Sequence, residues 1–306
     1  MVSRLQISNF LRERWQFFVL PSFAAFLPWA LCYRLFHSIT WRHSCGIQTE
    51  FALQSAIENG FVPDHQQWIA NYRLTQLIDR ADAFLSRFRS DRWLQKHVTV
   101  EGDEWPTGPC IGITFHFGAG LWALRHLCNS RTKVAVLLAR PDPSQQATAL
   151  AYARFRAQEV ERIACTPVIY TGGAKKIIRA CLAAGDCVVG LIDVPPGFTQ
   201  GEFCICNFLG RTCLFPLGLL RLADEAKVPV VLYVSTIRNN GDRLLRVTHI
   251  HGDAIRRMNQ IVSLLEAHVR AEPTAWHMWA TLKNFFVDIR HAEQTCADNE
   301  VSQPLR

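Results

Sequence analysis

From residue 110 onward, short apolar runs alternate with longer stretches whose apolar positions recur at helical spacing. Cys110–Phe115, Lys133–Leu138, Thr166–Tyr170, Cys187–Ile192, Val228–Thr236 and Leu244–Ile250 are too short for helices and read as strands. Leu121–Cys128, Ser144–Ile163, Ala174–Ala184, Pro216–Ala226 and Asp253–Ala271 read as helices. Gly185 stops the third of these, Asp253 starts the last, and Asn239-Asn240-Gly241-Asp242 is a turn between the last two strands. Strands and helices in alternation predict an α/β fold. Its core is a mixed, mostly parallel central sheet flanked by helices.

The pattern upstream is different. Residues 41–95 read as helical, with helices over Glu50–Asn59 and Gln66–Arg89 separated by Gly60 and Pro63. In the second, Ile69, Leu74, Leu77, Ile78, Ala81 and Leu85 keep helical spacing, and Val98–Val100 opens a strand. Trp15–Tyr33 carries no charged residue, is preceded by Arg4, Arg12 and Arg14, and is followed by Arg34. Its length suits a bilayer, while Pro21 and Pro28 interrupt a straight helix. Trp15, Trp29 and Tyr33 suit the headgroup level. This predicts a membrane-attached helical segment, as a kinked span or an interfacial hairpin; the competing reading is a helix buried in a soluble core. The expected organisation is an anchor over 1–40, a helical region over 41–95, an α/β domain over 96–290 and a polar tail over 291–306.

An apolar content of 49% with 19% charged residues excludes a disordered chain. The formal charge of +7 is spread along the length, which suits anionic surfaces, membrane headgroups as well as nucleic acid, and does not choose between them; a membrane and no nucleic acid is the expected partnership. Eleven cysteines without framework spacing read as buried thiols of a reducing compartment. Cys204 and Cys206 are too close for the usual zinc pairing, and His249 with His251 lacks a third ligand, so no metal and no cofactor is expected.

In folds of this class ligands sit at the carboxyl ends of strands. One such end is Ile111–Gly120, where His116 follows a buried strand, and Gly118 and Gly120 would let backbone approach a ligand ahead of a helix N-terminus. Another is Leu191–Gly197, where Asp193 precedes a turn made rigid by Pro195 and Pro196. Each residue alone has an ordinary structural reading: a satisfied histidine, a turn-capping aspartate.

Together with the sequence around them, these segments resemble the late acyltransferases of lipid A biosynthesis, within the lysophospholipid acyltransferase superfamily. His116-Phe117-Gly118 is similar to the opening of that family's H-x4-acid motif. Arg140-Pro141 is similar to its Arg-Pro turn, and Arg154-Phe155-Arg156 to its R-x-R. Asp193 stands where the family has an aspartate after an apolar strand. Asn207–Arg211, Pro216-Leu217-Gly218 and Leu222-Ala223 resemble its F-F-G-R, P-x-G and L-A run, and Pro273–Trp279 its closing P-x-x-W segment. The ordered match covers roughly residues 96–287. It departs from the family at Leu121, where the acid of H-x4-acid belongs, and Asp193 is the expected substitute partner for His116.

The resemblance implies a membrane-bound acyltransferase at the inner membrane, its catalytic domain facing the cytoplasm. It would move a fatty acyl chain from acyl carrier protein or acyl-CoA to a hydroxyl of a lipid A-like glycolipid or related lipid. His116 would be general base and Asp193 its partner. Arg154, or backbone N–H groups around Gly118 and Gly120, would meet the oxyanion, and Arg154, Arg156 and Arg211 would hold donor or acceptor phosphates. One alternative is a non-catalytic lipid-binding homologue. A second is an NAD(P)-dependent oxidoreductase, since Gly118-Ala119-Gly120-Leu121-Trp122-Ala123 fits G-x-G-x-x-A and Asp142 lies near the end of the next strand.

Overall fold

The fold is taken from a computed structural model and is described over residues 10–42, 49–130, 133–140, 147–199 and 201–287. Pro141, Asp142, Ser144 and the tail beyond 287 lie outside the described residues.

Seven strands form the main sheet in the order β1-β9-β8-β2-β5-β3-β4. They are β1 (Val98–Gly102), β2 (Cys110–Thr114), β3 (Val134–Leu138), β4 (Ile169–Tyr170), β5 (Cys187–Leu191), β8 (Val230–Ile237) and β9 (Arg243–Ile250). Every neighbouring pair is parallel except β8 with β9, which the tight turn at Arg238–Asp242 joins antiparallel. The expected α/β class and mostly parallel mixed sheet are therefore present.

The central strands are buried on both sides, which explains their continuous apolar runs. Ile111, Ile113, Val188, Val230 and Leu232 face one layer, with α8 (Lys175–Ala183), α9 (Gly218–Ala226) and α10 (Ala254–Ala271). Cys110, Val134, Val136, Val189 and Tyr233 face the other, with α6 (Leu121–Asn129) and α7 (Ala147–Ala164). Asp253 caps α10 by accepting from the Arg256 N–H at 2.9 Å, as its position in the sequence suggests.

One part differs from expectation. Residues 203–216 hold an antiparallel hairpin, β6 (Phe203–Phe208) and β7 (Arg211–Pro216), so Pro216 ends a strand instead of starting a helix. Its two-residue turn, Leu209-Gly210, has φ of +53° and +75°, as in a type I′ hairpin turn.

The N-terminus is helical and packs against the helical region that follows it. A helical stretch through Trp15–Val19 and α1 (Leu20–Phe26) breaks at Leu27, before Pro28, and α2 (Trp29–Arg42) follows. Leu20, Ala24, Trp29, Cys32 and Phe36 are buried against α4 (His65–Phe88), which continues from α3 (Glu50–Glu58) past Gly60 and Pro63. Arg89 fastens the break by donating to the carbonyls of Ala24 and Leu27. Among the described residues no helix is long and apolar enough to cross a membrane.

Candidate functional site

β2 and β5 are neighbours in register, with Thr114 opposite Leu191, so their carboxyl ends deliver residues 116 and 193 to the same edge. There the His116 Nδ1 lies 2.9 Å from Asp193 Oδ1. The same carboxylate accepts the His116 backbone N–H on both oxygens at 2.9 Å, and the Trp276 indole N–H on Oδ2 at 3.0 Å. Asp193 is fully enclosed, while 37% of the His116 side chain is exposed. A carboxylate can only accept, so Nδ1 carries the imidazole proton and Nε2 is left with its lone pair. Burial, the largest influence, depresses the His116 pKa; the charge and hydrogen bond of Asp193 outweigh it and bring the pKa above the ordinary 6.5.

A second histidine holds the turn in place. The segment Ala275–His277 runs antiparallel to 116–118: Phe117 bridges Trp276, the Gly118 N–H donates to the Ala275 carbonyl at 2.8 Å, and the His277 N–H donates to the His116 carbonyl at 2.9 Å. The His277 ring spans two more groups, with Gln76 Nε2 3.0 Å from its Nδ1 and the Gly118 carbonyl 2.8 Å from its Nε2. The amide donates and the carbonyl accepts, so this imidazole is neutral with its proton on Nε2. Burial, first among its influences, lowers its pKa accordingly. The Tyr72 hydroxyl donates to the His277 carbonyl at 3.2 Å.

Trp276 and His277 lay within the segment quoted for the family resemblance, but no role was read for either. Gln76 and Asp79 were missed. They stand at helical spacing with Tyr72, but the helix carries many other polar residues, so that spacing alone does not single them out.

Of the other expected site residues, Arg156 is near enough for its charge to act on His116, and Arg154 and Arg211 make no contact with it. Arg156 is committed to Asp79, with Nη1 2.7 Å and Nη2 2.9 Å from its two carboxylate oxygens, so its fork is not open to a phosphate. Arg154 is exposed and makes no hydrogen bond or ion pair among the described residues. Arg211 is exposed on the hairpin with its guanidinium 3.7 Å from the centre of the Phe286 ring. No contact connects either arginine with His116.

Gly118 also has a different reason from the one expected. With φ of +60°, its missing Cβ leaves room for the Ser235 carbonyl, which a Cβ would meet at 2.0 Å, and its N–H is spent on Ala275. It serves packing against β8, and is closed to an oxyanion and to the pyrophosphate of a dinucleotide. At Gly120, by contrast, nothing lies within 4 Å of where a Cβ would be. The N–H groups of Gly120, Leu121 and Trp122, at the start of α6, have no acceptor among the described residues. Leu121 itself is buried in the core beside Ala123 and Val134, so the family's acid position points away from solvent here.

Comparison of the chain with protein-family models and with curated proteins yields no match.

Proposed function

We propose that this protein is an acyltransferase working at a membrane surface. It moves a fatty acyl group from acyl carrier protein or acyl-CoA to a hydroxyl of a lipid A-like glycolipid or related lipid. The observation that carries this reading is the half-exposed imidazole whose Nδ1 is tied to a buried carboxylate, leaving Nε2 free as a base. Nε2 takes the proton of the acceptor hydroxyl as its oxygen attacks the thioester carbonyl. Asp193 stabilises the imidazolium so formed. The unpaired N–H groups at the start of α6 are the donors nearest in sequence for the oxyanion. When the tetrahedral intermediate collapses, the C–S bond breaks and the thiol leaves with the proton held by His116.

The test is incubation of membranes with labelled acyl thioesters, followed by identification of the lipid that gains mass. His116→Ala is expected to slow transfer by about 10²- to 10⁴-fold while the protein stays folded. Undiminished transfer by this variant would remove His116 as the base. Lipid binding by the wild-type protein without transfer from any donor would favour the non-catalytic homologue.

The membrane part of the proposal rests on surface chemistry. Of fifteen exposed large apolar side chains among the described residues, ten fall between Phe10 and Phe88. Leu11, Trp15, Val19 and Phe26 are 61%, 43%, 41% and 73% exposed, at spacings that keep them near one side of the N-terminal helical stretch. With no spanning helix among the described residues, an in-plane interfacial mode is the one this stripe fits. Leu11→Glu combined with Phe26→Glu should weaken co-flotation with phosphatidylglycerol vesicles by about tenfold or more. Equal flotation of the variant and the parent would refute the stripe as the contact.

A further inference from the structure

Beyond the His116 turn, on the other side of segment 273–277, lies a cleft of about 690 Å³. Its walls are one face of α4, the carboxyl end of β8 with its turn, and the stretch Ala271–Ala275. Its lining includes five uncharged hydrogen-bonding side chains, Gln67, Asn71, Thr75, Thr236 and Asn239, alongside Thr274. None of the five side chains has a hydrogen-bond partner among the described residues. Thr75 and Thr236 are 8% and 4% exposed. Trp68, 3% exposed, also lines the cleft, and its buried indole N–H has no partner. Gln67 and Asn239 are exposed and Asn71 half-buried, whereas Thr75 and Thr236 are almost enclosed and open only to this hollow, so a ligand there can exchange hydrogen bonds with all five.

The composition of the cleft defines that ligand. An amide offers a donor and an acceptor side by side, which suits neighbouring hydroxyls, while Tyr33 provides aromatic surface for the C–H faces between them. The cation of the cleft, Arg238, is paired with Glu101, and the carboxylates lining it are Asp64 and Glu272, so an anion finds little to attract it. An adjoining hollow of about 490 Å³ shares Tyr33, Gln67, Asn71 and Asn239 and adds Arg34 and His37, lengthening the available space.

We infer that this cleft binds an uncharged saccharide, at a site separate from the His116 imidazole. The inference needs no acyl transfer to hold. The experiment is saturation-transfer NMR on the full chain with cellobiose, maltose and chitobiose, and with glucose 6-phosphate and choline as charged counter-probes. At least one neutral disaccharide should receive saturation. Its affinity should fall about fivefold to tenfold in Asn71→Leu and in Gln67→Leu, each of which removes an unpaired side chain and is checked for unchanged thermal unfolding. No transfer to any neutral disaccharide, transfer indifferent to both substitutions, or stronger binding of a charged probe would overturn the assignment. Because no acyl donor is present, either result leaves the test of acyl transfer untouched.

Discussion

Asp193→Asn is expected to lower acyl transfer by about 10⁴-fold while the protein stays folded. The carboxylate faces only donors: the His116 ring N–H, the His116 backbone N–H and the Trp276 indole. An asparagine must turn its NH₂ toward one of them. Facing Trp276 would oppose two buried donors, whereas facing His116 costs less, because the imidazole can move its proton from Nδ1 to Nε2. That tautomer presents an N–H to the acceptor hydroxyl where a lone pair is required. The pH profile separates this mechanism from general damage. In the parent, His116 titrates above 6.5, so activity should fall as pH drops through that raised value. In the variant the residual activity should have its acid limb at lower pH, since the charge that raised the pKa is gone. The same shift has a stability consequence of defined sign. The folded state binds the His116 proton more tightly than the unfolded chain, so this contribution is full below about 6.5 and is lost as pH rises through the folded pKa. A variant with parental kcat and an unmoved acid limb would separate Asp193 from the base.

How much of this was readable in the sequence depended on whether one residue type has one use. Continuous runs such as Cys187–Leu191 gave the strands, because two-sided burial leaves no polar alternation to confuse them. His116 and Asp193 could be paired because both stand at strand ends, and the parallel register of β2 and β5 sets those ends side by side. The hairpin was hidden by its turn: Leu209 adopts a positive φ where Asn or Gly would have signalled it, and exposed Ile205 blurs the alternation of buried Cys204, Cys206 and Phe208. Gly118 was misread because a glycine that admits a neighbouring carbonyl looks the same in sequence as one that admits a ligand. The N-terminal stretch was ambiguous for a related reason. It is apolar on the face that packs against α4 and also on the face turned outward, and the sequence shows only the sum.

Arg243→Leu should cost the protein about 3–5 kcal/mol of stability at neutral pH, because it strands a buried charge. Arg243 and Asp82 are both fully buried and hydrogen-bonded to each other, joining β9 to α4. The guanidinium also donates to the Gly241 carbonyl at 2.8 Å and lies 4.4 Å from the centre of the Trp29 ring, so the N-terminal helices depend on it too. Burial already pushes the Asp82 carboxyl up to about 6, with Arg243 pulling it down and Asp79 adding to the rise. Without Arg243 the folded-state value moves further up. A raised carboxylate pKa means that the folded state holds the proton more tightly, so stability is retained at pH below the unfolded value near 3.8 and is lost as pH rises toward the folded one. Urea denaturation should therefore show the deficit of Arg243→Leu shrinking from pH 8 to pH 5. The pair is also incompletely satisfied, since Asp82 Oδ2 and Arg243 Nε are buried without partners. Replacing both residues, as Asp82→Leu with Arg243→Met, should thus recover most of the loss, the known behaviour of buried ion pairs exchanged for apolar contacts. A double variant as unstable as the sum of the two single ones would mean that the pair contributes through packing shape, and that desolvation of its charges is not what the fold is balancing.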